Sequence, residues 1–479
     1  MSEDLKGKTA KGLFWGGLSN GLQQLLNLFF GLFLGRILQP TDYGLIGMLT
    51  IFVVVANALQ ESGFTGALVN KKDLNHKDLN AVFWFSTLMG TALYLILFCC
   101  APLIADFYDE PLLRDLSRVL FLGFLLSSSS TAHNAVLFRS LMVKQRAMTY
   151  LFAQGISGTV GIILALNGMA YWGLAMQSVT HLAVQTILLW HFSPWRPTLE
   201  WDFRPLRGMI AFSSKILLTN LLTHINNNIF TVLLGKFYKP QVGFYTQANK
   251  WSYMGQSLIT GMVSNVAQPV LAKVNDETDR QREIFRKMLR FTSFVAFPTL
   301  LGLALVAPEF IVITIKEKWL PCVPYLQILC LWGAFIPITT LFSNLIISRG
   351  HSNIFLYNTV AVGLLQIILI FAMKSLGIMA MLSAIVTLHV LWLFIWHYFA
   401  QRMIGIQLRD VLKDVFPFLG ISILCMGCTY LITRGIENIY LMFIAKIIVA
   451  AALYASIMYL TKATVFRESL HYLFQHKKG

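Results

Sequence analysis

Mostly apolar stretches of roughly twenty residues, the length that crosses a bilayer core, follow one another along this chain, separated by short charged or turn-rich joints. They predict fourteen helices, at 13–38, 43–64, 80–106, 112–137, 148–167, 170–192, 209–235, 242–270, 291–314, 320–348, 354–373, 376–400, 415–433 and 439–461. Polar residues interrupt the seventh and eighth most. The first apolar stretch follows a short segment carrying Lys6, Lys8 and Lys11 and runs to Leu38. It is too long for a cleavable signal and has no small-residue cleavage site, so it is read as an uncleaved span.

The polar positions inside these stretches are patterned. Asn20, Gln23, Gln24 and Asn27 follow i, i+3, i+4, i+7 spacing, which puts one amide stripe on the first span. The seventh repeats it with Asn220, His224, Asn227 and Asn228, adding Asn226 and, near its start, Lys215. The eighth carries Gln247, Asn249, Lys250, Gln256, Asn265 and Gln268, and the second Asn57, Gln60 and Glu61. Elsewhere the spans are mostly apolar, apart from Ser127–Thr131 with His133 and Asn134 in the fourth. A single amide serves equally well as hydrogen-bonding glue between helices. A set clustered on spans one, two, seven and eight points instead to a water-filled cavity, because a polar group in hydrocarbon is costly unless it meets a partner or water.

Those four helices are related by an internal repeat. Leu34-Gly35-Arg36, Pro40 and Gly44 are matched by Leu234-Gly235-Lys236, Pro240 and Gly243, and Asn20 and Asn27 by Asn220 and Asn227. Ala101-Pro102 is matched by Ala307-Pro308; Leu116, Gly123, Asn134 and Arg139 by Leu326, Gly333, Asn344 and Arg349; and Trp190-His191 by Trp396-His397. The fold class expected is an all-α polytopic membrane protein with fourteen transmembrane helices. Two pseudo-symmetric six-helix lobes, 1–200 and 201–405, carry an appended helix pair and tail at 406–479, with the lobes related by an axis along the membrane normal.

Composition agrees. The mean hydropathy is +0.64, 56% of the 479 residues are hydrophobic and 13% are charged, against roughly a quarter charged in soluble proteins. No segment is long and polar enough for a separate soluble domain. With the N-terminus in the cytoplasm and sides alternating, inner loops hold Lys and Arg over outer loops by roughly three to one, as positive-inside topology requires. Both termini are therefore expected to be cytoplasmic. The net charge of +16 then lines loops facing anionic headgroups rather than a nucleic acid. The spacing of Cys425 and Cys428 lies within an apolar run and reads as helix packing; no disulfide framework or metal site is implied.

Charges at depth sharpen the cavity reading. Lys215 and Lys250 lie within spans and should face water or an anion, whereas Arg36 and Lys236 sit at equivalent outer rims. Lys446 lies outside the repeat and reads as structural or snorkelling. Glu61 is taken as the one acid within a span, able to pair with Lys215 or to couple an ion. Asp106, Asp109, Glu110 and Asp115 read as a solvated outer face.

The segment Gly35-Arg36-Ile37-Leu38-Gln39-Pro40-Thr41-Asp42-Tyr43-Gly44, continuing to Gly47-Met48, resembles the signature of bacterial polysaccharide transporters. These are the Wzx-type flippases of the multidrug/oligosaccharidyl-lipid/polysaccharide exporter superfamily. Gly12-Leu13-Phe14-Trp15 after basic residues, and Gly243-Phe244-Tyr245 after Pro240, are similar to its colanic-acid and teichuronic-acid branch. The resemblance covers essentially the whole chain. It implies an inner-membrane flippase that moves an undecaprenyl-diphosphate-linked glycan outward by alternating access, without a cofactor. Its partners are that glycan, membrane lipids, and polysaccharide polymerase and assembly proteins. It also implies a cavity with cationic residues, for which Lys215 and Lys250 are suited; span one has no basic residue at depth. A multidrug/cation antiporter would want buried carboxylates, and a membrane glycosyltransferase or acyltransferase would want paired acids or a His-centred site near one membrane face. No Gly-x-x-x-x-Gly-Lys-[Ser/Thr] nucleotide loop is present.

Overall fold

The computed structural model describes residues 21–61, 68, 71, 73–140 and 142–468; within these, the side chains of 56–61, 208–216 and 219 are left aside. Helices follow one another almost without interruption: α1 (21–37), α2 (Pro40–Glu61), α3 (His76–Tyr108), α4 (Leu112–Leu120), α5 (Leu122–Ser128), α6 (Thr131–Arg139), α7 (Val143–Leu166) and α8 (Ala170–Phe192). They continue with α9 (Arg207–Phe237), α10 (Lys239–Lys273), α11 (Thr278–Leu305), α12 (Ala307–Ile315), α13 (Val323–Ser348), α14 (Ser352–Met373), α15 (Ile378–Ile404), α16 (Leu408–Thr433) and α17 (Ile439–Leu460).

The chain is an all-helical, multi-pass membrane protein. Among the described residues eight helices are long and apolar enough to cross a bilayer, nine if the bent pair Leu112–Ser128 and Thr131–Arg139 is one span. Neither α9 nor α10 is in that set. With 31 and 35 residues they reach about 45 Å or more at 1.5 Å per residue, so polarity excludes them and length does not.

By internal contacts the chain forms two compact units, 1–243 and 244–479. In the first, the turn before α3 is fixed by charge. Asn75 caps the helix, its Oδ1 accepting from the Asp78 amide at 3.0 Å while Asp78 Oδ2 accepts from the Asn75 amide at 3.2 Å. The other Asp78 oxygen takes Lys71 Nζ at 2.7 Å. Arg139, at the end of α6, donates to the carbonyls of Leu68, at 3.1 Å, and of Lys71. The strap after α8 is tied to α3 by five hydrogen bonds, one of them between His76 Nε2 and Thr198 Oγ1 at 3.0 Å. Trp195 Nε1 donates to His76 Nδ1 (3.0 Å), Trp84 Nε1 to the Thr198 carbonyl (2.7 Å) and Asn80 Nδ2 to the Glu200 carbonyl (2.6 Å), while Asn80 Oδ1 accepts from the Thr198 amide (2.9 Å). Beneath it lie Leu68, Leu79, Val82, Ala135, Val136 and Leu206.

The serine run bends a helix. Ser127 and Ser128 donate to the carbonyls of Gly123 and Leu125, and Ser129 and Ser130 to those of Leu126 and Ser127, at 2.7–3.0 Å. Hydroxyls that back-bond in this way compete with the helix ladder, and the chain turns by 44° between α5 and α6. Gly90 of α3 packs against the bend, since a Cβ there would lie 2.5 Å from Ser128 Cβ.

In the second unit Pro308 divides α11 from α12. Proline brings no amide for the Ala304 carbonyl, and Gln327 Nε2 of α13 donates to that oxygen instead, at 3.2 Å. The next residue is Glu309, whose Oε1 takes Lys446 Nζ of α17 at 2.6 Å, with side-chain exposures of 7% and 5%. Of the two readings of Lys446, structural or snorkelling, the ion pair favours the structural one, and Glu309, which falls in the predicted span 291–314, corrects the expectation that Glu61 is the one acid within a span. At the other end of α11, Arg286 holds Asp414 of α16 through Nε (2.7 Å) and Nη2 (3.2 Å), and Asp410 through Nη1 (3.3 Å). The appended helices are therefore clamped by charge near both ends.

Removing one charge from the buried pair, as in Glu309→Gln, is expected to cost about 3–5 kcal/mol of stability by stranding its partner. The double substitution Glu309→Leu with Lys446→Leu should recover most of that loss. Thermal unfolding in detergent measures both.

Candidate functional site

The amide stripes of α1 and α9 share a gradient of exposure. On α1, Gln23 and Gln24 are half-buried and Asn27 is exposed, whereas Gly31, Leu34, Gly35 and Leu38, further along that face, are buried. On α9, Asn220 and Asn227 are exposed, His224 and Asn228 half-buried, and Thr231, Leu234 and Gly235 buried. Residues seven apart drift by only about 20° around a helix, so 220, 227 and 234 form one line. Each face is open over its amides and shut over its Leu-Gly pair.

Tight packing shuts it. Within the first unit a Cβ on Gly235 would lie 2.8 Å from Met48 Cγ and from the Tyr108 ring. α2 follows the same gradient, buried at 42–45 and 47–49 and half-buried from 50 to 55. Tyr108 Oη donates to the Met48 carbonyl at 3.2 Å, fastening the end of α3 to α2. Beside these contacts Lys236 Nζ stands 3.2 Å from Asp109 Oδ2. Asp109 is thus an ion-pair partner and not simply part of a solvated acidic face.

The remaining predicted positions are distributed as follows. Asn228 Nδ2 donates to the His224 carbonyl at 2.9 Å, which leaves its second N–H and Oδ1 for other partners. Gln247 is wholly buried, and neither amide atom has a hydrogen-bond partner among the described residues. Lys250 is half-buried with Nζ 5.7 Å from the Trp251 ring centroid, and no carboxylate pairs with it among the described residues. Arg36 is exposed and Lys236 partly so. Asn20 and the side chains of Asn57, Gln60, Glu61 and Lys215 lie outside the described residues.

Amides that both donate and accept suit sugar hydroxyls, and an ammonium suits phosphate as a point charge. The second unit adds a cavity of 730 Å³ lined by Met262, Val266, Met288, Phe291 and Val465, whose charged lining residues Lys287 and Glu468 pair with each other at 2.8 Å. It suits hydrocarbon, not sugar. Among the described residues no group of three or more His, Cys, Asp or Glu side chains is placed to hold a metal ion.

Sequence reasoning missed Asp109, Lys239 and Glu309. The repeat aligned Gly44 with Gly243 as counterparts, but nothing in the sequence said that they touch.

The comparisons with known proteins fit this geometry. The lipopolysaccharide biosynthesis protein WzxC of Escherichia coli (strain K12) is 24% identical over 358 residues, 73% of this chain and 72% of that protein. The teichuronic acid biosynthesis protein TuaB of Bacillus subtilis (strain 168) is 25% identical over 426 residues, 87% of this chain and 88% of its own length. Among solved structures, the lipid II flippase MurJ in an inward closed conformation matches with a TM-score of 0.76 at 16% identity, covering 96% of this chain and 99% of that one. This is a likeness of fold. A family model described as "Polysaccharide biosynthesis protein" matches residues 33–324. That match spans more than half of the sequence, and the chain belongs to the polysaccharide biosynthesis protein family.

Proposed function

We propose that this protein is a flippase, not an enzyme, which carries an undecaprenyl-diphosphate-linked oligosaccharide across the bacterial cytoplasmic membrane by alternating access. The observation that carries the reading is the pair of amide faces on α1 and α9, open along part of their length and sealed at the Leu-Gly end. Family membership and a MurJ-like fold agree with it.

The physical need is plain. A diphosphate bearing several sugars cannot enter about 30 Å of hydrocarbon without surrendering its hydrogen bonds to water. Asn20, Gln23, Gln24, Asn27, Asn220, His224, Asn227, Asn228 and Gln247 replace that water around hydroxyls, and Lys215 and Lys250 neutralise phosphate. Arg36 and Lys236 stand at the rim, and Glu61 is the candidate for ion coupling. The polyprenyl chain stays in hydrocarbon throughout.

In this reading fourteen spans form two six-helix repeats, 1–200 and 201–405, followed by the pair at 406–479. Both termini face the cytoplasm, which follows from the excess of Lys and Arg in alternate loops. The sealed end of α1 and α9 then faces outward. A polysaccharide polymerase is the expected consumer of the flipped glycan.

Lys250→Ala is expected to reduce flipping of the lipid-linked glycan in reconstituted vesicles by about tenfold, as loss of one charged contact of roughly 1.4 kcal/mol implies, with expression and unfolding temperature unchanged. Unaltered flipping removes Lys250 from the site. In a cysteine-free background, Asn220→Cys and Asn227→Cys should react readily with a hydrophilic maleimide in detergent, and Leu234→Cys should not. Equal labelling at all three positions contradicts the sealed-end geometry.

A further inference from the structure

The contacts that seal α9 fall on the duplicated motif itself. Gly44 and Gly243 are counterparts in the two copies, and they lie side by side: a Cβ on Gly44 would lie 3.4 Å from the Gly243 amide nitrogen, and one on Gly243 would run into the Pro40 carbonyl. Bare backbone alone fits at 243. Beside this contact, Asp109 ends α3 in the left-handed region (φ 48°), its amide bonded back to the Ala105 and Asp106 carbonyls. That turn presents two acceptors to the lysines at the junction of α9 and α10. The carboxylate faces Lys236 Nζ at 3.2 Å, and the Asp109 carbonyl accepts from Lys239 Nζ at 2.6 Å. Lys236 also lies 5.4 Å from the Phe107 ring centroid.

We infer that Asp109, gripped by Lys236 and Lys239, and the Gly44–Gly243 contact together form the outer lock of the transport cycle. Exposing the amide face of α9 at its sealed end requires α9 to part from α2 and the end of α3. Both lysines must leave Asp109 at the same moment. The components suit repeated opening. The ion pair is 34% and 72% exposed on its two sides, and such pairs hold weakly. The glycine contact has no side chains to unpack and repack. The direction assigned to the lock rests on the topology proposed above; its existence does not.

The test uses the full chain, free of native cysteines, with Asn227→Cys as reporter and an impermeant maleimide added outside intact cells. Gly243→Ala, which drives a methyl into the Pro40 carbonyl, should raise labelling about tenfold, as a shift of roughly 1.4 kcal/mol toward the open form gives. Asp109→Asn should raise it less. Gly155→Ala, where nothing lies within 4 Å, should leave it unchanged. Labelling that Gly243→Ala and Asp109→Asn leave at the parent level overturns the lock. Should Gly243→Ala fail to fold, Asp109→Cys with Lys236→Cys, bridged by a short reducible bis-methanethiosulfonate, decides. Glycan flipping in vesicles should stop and return on reduction, and unimpeded flipping through the bridge refutes the proposal. A parent protein that flips no glycan, while Gly243→Ala still raises labelling, sinks the transport reading and leaves the lock standing.

Discussion

Hydrocarbon offers no hydrogen bonds, and every polar group within this chain must find a partner or a wet surface. Most of the architecture follows from how that demand is met. Four consecutive serines turn back on their own helix and bend it. The carbonyl freed by Pro308 is taken by a glutamine from a neighbouring helix. Glu309 and Lys446 answer each other at depth. The amides of α1 and α9 are different: Asn27, Asn220 and Asn227 stay exposed, whereas the Leu-Gly pairs further along the same faces are buried.

Charged side chains find different kinds of partner in the two units. In the first unit Arg139 donates to the backbone carbonyls of Leu68 and Lys71. In the second, Arg349 at the counterpart position reaches side chains instead, donating to Gln281 Oε1 at 2.8 Å and Thr278 Oγ1 at 3.2 Å. The extra helices α16 and α17 are bound through Arg286, Asp410 and Asp414 at one end and Lys446 at the other. Apolar packing alone would not fix them, because lipid competes equally well for an apolar face.

Glycine serves the opposite end of the problem. Where α2, α9 and the start of α10 converge, removal of side chains lets backbone approach backbone, and directional contacts from Tyr108 and Asp109 finish the closure. Close helix approach through small residues is a way to pack helices without a hydrophobic driving force. It is also cheap to undo.

The sequence by itself determined that the chain is built of apolar helices and which residues share a helix face, since those depend on periods of 3.6 residues and on apolar length, which are local. It also exposed α9 and α10 as too polar for lipid on all sides. Partners were another matter. Lys446 meets an acid 137 residues away, and Lys236 one 127 residues away; a helical period says which residues share a face, never which face lies opposite. Only the tertiary structure, by bringing those faces into register, decided that Asp109 is a partner, that Lys446 is neutralised, and that two counterpart glycines touch.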